Sequence, residues 1–142
     1  MTMRSVAGGQ FFSWSDDEGE TWTKPFLAPL RGACSPAIVR RIPGSDDVLA
    51  IWTYGYGGRT PLVSAVSSDG GLTWKHLKLL EQSHYHGYCY ASCTFVGDRV
   101  LLSYMHYPMF SSLFRFEVEP GYHDARFLSL PIQWFYRDPE KE

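Results

Sequence analysis

Two aspartates, Asp17 and Asp69, are the first candidates for acid–base chemistry, because each lies in a copy of one repeated pattern. The pattern is Ser-x-Asp-x-Gly-x-Thr-Trp, and its two copies begin 52 residues apart, at Ser15 and Ser67. Ser and Asp side chains can hydrogen-bond to the backbone of their own turn, and glycine permits a positive φ. We therefore interpret both aspartates as structural groups that close hairpin turns. The residues that the pattern fixes are Ser15, Asp17, Gly19, Thr21, Trp22, Ser67, Asp69, Gly71, Thr73 and Trp74.

A second group with chemical potential consists of histidines, His84, His86 and His106, with Cys89 nearby in the sequence. Histidine and cysteine are zinc ligands, but a structural zinc site needs four ligands in a closed tetrahedron. No recognisable spacing completes such a set here. We therefore expect no metal site and no cofactor, and we expect the histidines to line a loop face near Tyr88 or to lie exposed.

The composition of the chain limits the kinds of molecule that we expect it to bind. The chain has 13 basic and 15 acidic residues, a net charge of −2, so it has no electrostatic footprint for nucleic acid. We expect no membrane association, because the N-terminus lacks the apolar region of a signal peptide and no stretch is long enough to span a bilayer. Three cysteines, Cys34, Cys89 and Cys93, favour a reducing compartment such as the cytoplasm over a disulfide framework. Aromatic residues make up 16% of the chain, which suits both a β-rich protein and a sugar site.

Short apolar or alternating runs between turn signals predict an all-β fold. Turn chemistry occurs at residues 43–46, 57–58, 97–98 and 120–121, and no helical stripe of any length is present. The predicted strands cover residues 10–14, 37–41, 47–54, 62–67, 75–79, 90–96, 99–106, 113–118 and 126–130.

The repeat divides these strands into four-stranded units, the blades of a β-propeller. Residues 36–80 predict one complete blade, residues 1–35 the end of a preceding blade, and residues 81–136 a C-terminal blade followed by a tail at 137–142. The turn pattern of the C-terminal blade has decayed at residues 120–124. The chain thus holds about two and a half blades of an expected six-bladed ring. We expect the missing blades to come from upstream sequence or from a second copy of the chain.

The repeated pattern resembles the Asp-box, or BNR repeat, of the sialidase (neuraminidase) family, and the resemblance extends over nearly the whole chain. Residues 4–22 resemble a segment that carries an arginine of the family's three-arginine cluster. Residues 54–74, which include Gly57-Gly58-Arg59-Thr60-Pro61-Leu62, resemble a segment that carries another. Residues 87–104, which begin Gly87-Tyr88-Cys89-Tyr90, resemble the segment with the family's nucleophilic tyrosine.

The resemblance implies an exo-glycosidase that removes terminal sialic acid, or a similar acidic sugar, from a glycan substrate. On this basis Tyr88 is the expected nucleophile, and Arg59 and Arg4 are the expected ligands of the sugar carboxylate. Tyr90 is the alternative nucleophile, because a spacing of two places it on the same side of a regular strand. A neutral phenol suits a centre that carries a carboxylate, and guanidinium groups bind a carboxylate through two hydrogen bonds.

The family also uses a glutamate base, an aspartate acid and a third arginine, which we expect upstream of Arg4. The acidic residues Glu81, Glu117 and Glu119 have no motif context, and we interpret them as surface groups, as we do the arginines Arg31, Arg40 and Arg41. We therefore expect this chain alone to be inactive. Two alternatives stay open: a non-catalytic carbohydrate-binding or scaffold propeller, and a related glycoside hydrolase or lyase with a different glycan.

Overall fold

The computed structural model describes residues 1–32, 34–55, 58–112, 115–117 and 123–137. It confirms the all-β prediction: the described chain contains strands and one short 3-10 helix, Ile132–Tyr136, but no α-helix. No helix within these ranges is long and apolar enough to cross a membrane. The strands are β1 Thr2–Arg4, β2 Gly9–Phe12, β3 Phe26–Arg31, β4 Ile38–Arg41, β5 Val48–Thr53, β6 Leu62–Ser67, β7 Lys75–Glu81, β8 His86–Val96, β9 Arg99–Pro108, β10 Phe110–Ser112, β11 Arg115–Glu117 and β12 Asp124–Pro131.

The second sheet is an antiparallel meander in the order β4-β5-β6-β7. Its strands coincide, to within two residues at either end, with the four strands predicted between residues 37 and 79. Both central strands are almost wholly buried, and β6 has no exposed residue. A strand buried on both faces reads as a continuous apolar run, which is why the sequence signal was clear in this region.

The first sheet, in the order β1-β2-β3, contains two strands that the sequence analysis did not predict. Thr2, Met3 and Arg4 pair with Phe12, Phe11 and Gln10. The other missed strand, Phe26–Arg31, contains a proline, which removes a backbone donor and weakens the strand signal.

The third sheet has the order β12-β9-β8, and a separate hairpin pairs β10 with β11. Strand β8 begins at His86, four residues earlier than predicted, and continues through a register shift between Cys89 and Ser92. Within the described residues, the predicted strand at 113–118 corresponds to β11, whereas residues 113, 114 and 118 lie outside the described part of the chain. Strand β10 was not predicted. The decayed turn at 120–124 and the predicted tail also fall largely outside it. None of the three sheets closes on itself in the described ranges.

Two apolar clusters hold the three sheets together, one on each face of the second sheet. Along β5, Leu49 and Ile51 belong to the cluster shared with the third sheet, whereas Ala50 and Trp52 belong to the cluster shared with the first. This is the period-two alternation of a strand whose neighbours cover both of its faces. The second sheet therefore forms the middle layer, and the first and third sheets each contribute one packed face.

Both copies of the repeated pattern form the turns that the sequence predicts. In the first, Ser15 Oγ donates to Asp17 Oδ1 (2.8 Å) and accepts from the Gly19 N–H (2.8 Å). Asp17 accepts from the Thr21 N–H (2.9 Å) and from Thr21 Oγ1 (2.6 Å), and Trp22 Nε1 donates to the Gly19 carbonyl (2.9 Å). Hydrogen bonds lower the pKa of Asp17 to about 2, and the bond from the Thr21 hydroxyl contributes most to this shift. Asp17 is therefore an ionised structural acceptor.

The second copy repeats every one of these contacts with Ser67, Asp69, Gly71, Thr73 and Trp74. Hydrogen bonds, again led by that of the threonine hydroxyl, lower the pKa of Asp69. The two glycines have the same positive φ of 98°. The aspartate oxygens of both copies therefore accept hydrogen bonds within their own turns, as expected of structural groups.

Candidate functional site

Side chains from the first sheet and from the β5–β6 connection converge on Tyr90 in the third sheet. Tyr90 lies in β8 where the register shifts, and it has a positive φ of 52°. A bulge of this kind redirects a side chain out of the normal alternation of a strand. As a result Tyr90 is 52% exposed, although the residue before it is buried.

Arg59 approaches Tyr90 from the connection between β5 and β6. Its Cζ atom lies 5.0 Å from the centroid of the Tyr90 ring, within the range of a cation–π contact. The Arg59 guanidinium also interacts with the Cys89 thiol. The Tyr88 N–H donates a short hydrogen bond (2.6 Å) to the Arg59 carbonyl, so the backbone of β8 fixes the arginine beside the tyrosine.

Arg4 completes this group from the first sheet. It is the last residue of β1 and pairs with Gln10, so it belongs to a strand and not to a frayed terminus. Hydrogen bonding to Arg59, the positive charge of Arg59 and hydrogen bonding to Arg4 together lower the pKa of the Tyr90 phenol below its usual 10. Arg4, Arg59 and Tyr90 therefore form one cationic cluster around an exposed phenol, which we call the arginine–tyrosine cluster.

Tyr88, the nucleophile predicted first, lies in a different environment. It is 2% exposed, its ring packs edge-on against Tyr104 (centroids 6.2 Å apart), and it stacks on His106 at 5.5 Å. Burial, followed by the negative charge of Glu81, raises the pKa of Tyr88. The expectation that Tyr88 and Tyr90 share one side of a regular strand is wrong, because the bulge interrupts the alternation between them.

Glu81 is not the surface group that the sequence analysis expected. Its side chain is only 19% exposed, and its Oε1 accepts hydrogen bonds from Tyr104 Oη (2.5 Å) and from Arg126 Nη1 (3.1 Å). Burial and this contact raise the pKa of Tyr104. The group joins β7 to β9 and β12, and no motif could have revealed it because its members are 23 and 45 residues apart in the chain. Glu119 lies outside the described residues, whereas Arg31, Arg40 and Arg41 are exposed as expected.

The histidines occupy three different environments. His84 is exposed, His86 is partly buried, and His106 is 8% exposed beneath Tyr88. The His86 and His106 rings stack with their centroids 4.5 Å apart. Within the described part of the chain, no group of three or more His, Cys, Asp or Glu side chains could hold a metal ion. The three cysteines are free thiols.

An open groove of about 370 Å³ adjoins Tyr90 on the third sheet. Its wall combines apolar side chains with the carboxylate of Asp124, and Phe127 on β12 is 75% exposed beside it. The lining residues are Tyr90, Ser103, Tyr104, Met105, His123, Asp124, Ala125 and Phe127. Tyr90 thus belongs both to the arginine–tyrosine cluster and to the wall of a largely apolar groove.

A comparison with the models of known protein families gives no match, and neither does a comparison with curated proteins. Any functional conclusion therefore depends on the residues themselves. Those with the strongest chemical character are Arg4, Arg59 and Tyr90.

Proposed function

We propose that the chain is part of a sialidase-like exo-glycosidase that binds a terminal acidic sugar at the arginine–tyrosine cluster. The observation that carries this proposal is the convergence of Arg4 from the first sheet, Arg59 from the β5–β6 connection and Tyr90 from the third sheet. Two guanidinium groups beside one phenol suit a carboxylated sugar, because arginine binds a carboxylate bidentately and with fixed geometry. The repeated turns and the three stacked sheets are consistent with consecutive blades of an incomplete propeller.

Tyr90, and not Tyr88, is the nucleophile in this proposal. It is exposed, it contacts both arginines, and its lowered pKa makes the phenolate more accessible. Its oxygen forms a bond to the anomeric carbon while the bond from that carbon to the leaving alcohol breaks. Water then cleaves the tyrosyl–sugar bond, and the configuration is retained.

The remaining catalytic groups are not supplied by a single copy of residues 1–142 in this proposal. Glu81 hydrogen-bonds to Tyr104 and Arg126, and its charge is felt at Tyr88, so it is not placed to deprotonate Tyr90. We propose that a glutamate base for Tyr90, an aspartate acid for the leaving alcohol and a third arginine are supplied by upstream sequence or by a second copy of the chain. The 142-residue chain alone then binds the sugar weakly and does not hydrolyse it.

Two measurements test the proposal. The first is binding of N-acetylneuraminic acid to the 142-residue chain, followed by NMR, with Arg59→Gln as the variant and Arg41→Gln as its control. Arg41 pairs with Asp46 at the surface and lies outside the arginine–tyrosine cluster. The second is turnover of a fluorogenic sialoside by the protein extended upstream, with Tyr90→Phe against Tyr88→Phe.

The outcomes separate the candidate functions. Binding that Arg59→Gln abolishes, together with turnover that Tyr90→Phe abolishes, is the expected result. Binding without turnover in the extended protein would favour a carbohydrate-binding propeller, because the anion site needs no catalytic base. Absence of both, or equal effects of Arg59→Gln and Arg41→Gln, would overturn the proposal.

A further inference from the structure

The connection that carries Arg59 is tied to a histidine through one threonine and one serine. Thr60 Oγ1 donates to the Ser83 carbonyl (3.2 Å), and the Ser83 N–H donates to Thr60 Oγ1 (3.3 Å). Ser83 Oγ in turn lies 3.0 Å from His86 Nδ1. The imidazole of His86 is thus linked, through Ser83, to the residue that follows Arg59.

A second route runs from the same histidine through aromatic contacts. The His86 and His106 rings stack at 4.5 Å with 27° between their planes. His106 also stacks on Tyr88, at 5.5 Å and 30°. The Tyr88 N–H donates to the Arg59 carbonyl. The stack that holds Tyr88 therefore also supports the backbone of Arg59.

Within this network, His106 is the group whose surroundings disfavour the protonated, charged form of the ring. It is faced by His86 and Tyr88 from β8 and by Asp124 and Arg126 from β12. Its Nδ1 atom is buried without a hydrogen-bond partner among the described residues, and Asp124 Oδ2 lies 3.6 Å away. Burial, then the charges of Arg126 and His86, lower the pKa of His106, while Asp124 acts in the opposite direction.

We propose that Ser83 and His86 are positioning residues for Arg59, and that protonation of the stacked His106 loosens their hold. A proton on His106 places a cation against the His86 ring and near the Arg126 guanidinium. The only facing carboxylate among these groups is Asp124, so the imidazolium is drawn toward β12 and away from the stack. The Tyr88 ring then loses one of its two ring contacts and keeps the one with Tyr104, and both routes that support Arg59 are weakened.

The sign of the pH effect follows from the lowered pKa of His106. The folded state prefers the neutral ring, so the unfolded chain binds more protons as the pH falls below about 6.5, the ordinary histidine value. The arrangement is therefore complete above that pH and is progressively lost below it. The inference rests on the proposed function for its biological meaning, since it concerns the site at which the acidic sugar is proposed to bind. The positions of Arg59 and Tyr90 can nevertheless be followed without any sugar.

The test is an NMR titration of the 142-residue chain from neutral to mildly acidic pH. The ring signals of His106, the Nε–H signal of Arg59 and the ring signals of Tyr90 are followed together. We expect the Arg59 and Tyr90 signals to shift with the midpoint of His106. We expect this step to vanish in His106→Phe, which keeps an aromatic ring in the stack but cannot take up a proton. The exposed His84 supplies the control, and His84→Gln should leave the step unchanged.

Thr60→Val tests the hydrogen-bonded route separately, because it keeps the side-chain shape and removes the hydroxyl. We expect it to displace the Arg59 signals at neutral pH and to leave the His106 midpoint in place. If His106→Phe does not fold, the midpoints of the unmodified chain decide alone.

The inference fails if Arg59 and Tyr90 do not respond when His106 titrates, or if the step survives in His106→Phe. It also fails if the step coincides with loss of the far-ultraviolet circular dichroism signal, which would show global unfolding. A step at Arg59 without any binding of N-acetylneuraminic acid would keep this inference and reject the proposed function. The two failures are therefore distinguishable.

Discussion

Tyr88 and Tyr90 are two residues apart on one strand, yet they occupy opposite environments. Tyr88 is packed among Tyr104 and His106, and burial raises its pKa. Tyr90 is exposed beside Arg59 and Arg4, and their hydrogen bonds and charge lower its pKa. The comparison shows that one bulge is enough to divide a strand between a structural tyrosine and a chemically accessible one.

The largest expected difference between the two tyrosines is in catalysis by the extended protein. Tyr90→Phe removes the proposed nucleophile and should reduce sialoside turnover by several orders of magnitude, as loss of a nucleophile does in other enzymes. Tyr88→Phe keeps the packed ring and should leave turnover close to that of the unmodified protein. The measurement is kcat/KM on a fluorogenic sialoside, and a larger loss for Tyr88→Phe would reverse the assignment.

The second difference is in stability, where we expect the larger loss on replacing Tyr88 and the smaller on replacing Tyr90. Tyr88→Ala empties a site in the core and should lower the free energy of unfolding by about 3–5 kcal/mol, as truncation of a buried aromatic ring does. Tyr90→Ala should cost less than about 1 kcal/mol, because the side chain is half exposed. Urea unfolding measures both. Tyr85→Ala is the control, since that ring is 74% exposed, and equal losses at positions 88 and 90 would contradict the comparison.

A third difference is in the ionisation of the phenols. Ultraviolet absorbance during an alkaline titration should show Tyr90 ionising below pH 10 and Tyr88 above it. Arg59→Gln should raise the pKa of Tyr90 toward 10, because the largest cause of its lowering is removed. Assignment comes from the difference between the unmodified chain and Tyr90→Phe. A Tyr90 pKa that Arg59→Gln leaves in place would show that the contact is not maintained in solution.

The smallest expected effect concerns only Tyr88 and the buried groups around it. Glu81→Gln retains an oxygen that can accept from the Tyr104 hydroxyl and removes the negative charge that helps to raise the pKa of Tyr88. We expect the pKa of Tyr88 to fall slightly and that of Tyr90 to stay where it is. The same absorbance titration measures both, and an equal change at Tyr90 would mean that the two environments are electrostatically connected.

The sequence was sufficient wherever a short segment determines its own structure. Residues 15–22 and 67–74 specify their turns within eight positions, and the apolar runs of the second sheet mark strands covered on both faces. It was insufficient where distant segments meet. The partners of Glu81 lie far along the chain, and β1 is recognisable as a strand only through its pairing with β2. The different environments of Tyr88 and Tyr90 could not be predicted either, because a bulge depends on the register of two strands, which residue types alone do not specify.

The repeated turn has a consequence for the order in which the chain folds. Each copy makes its side-chain and backbone bonds between residues no more than four positions apart. Contacts of such short range close quickly, on the timescale of a small loop or hairpin, well before sheets pair across the chain. The two turns can therefore act as early fixed points that set the pairing of the strands on either side. Replacing Asp69 should accordingly slow refolding more than it speeds unfolding, and a chevron measurement would show the difference in the folding limb.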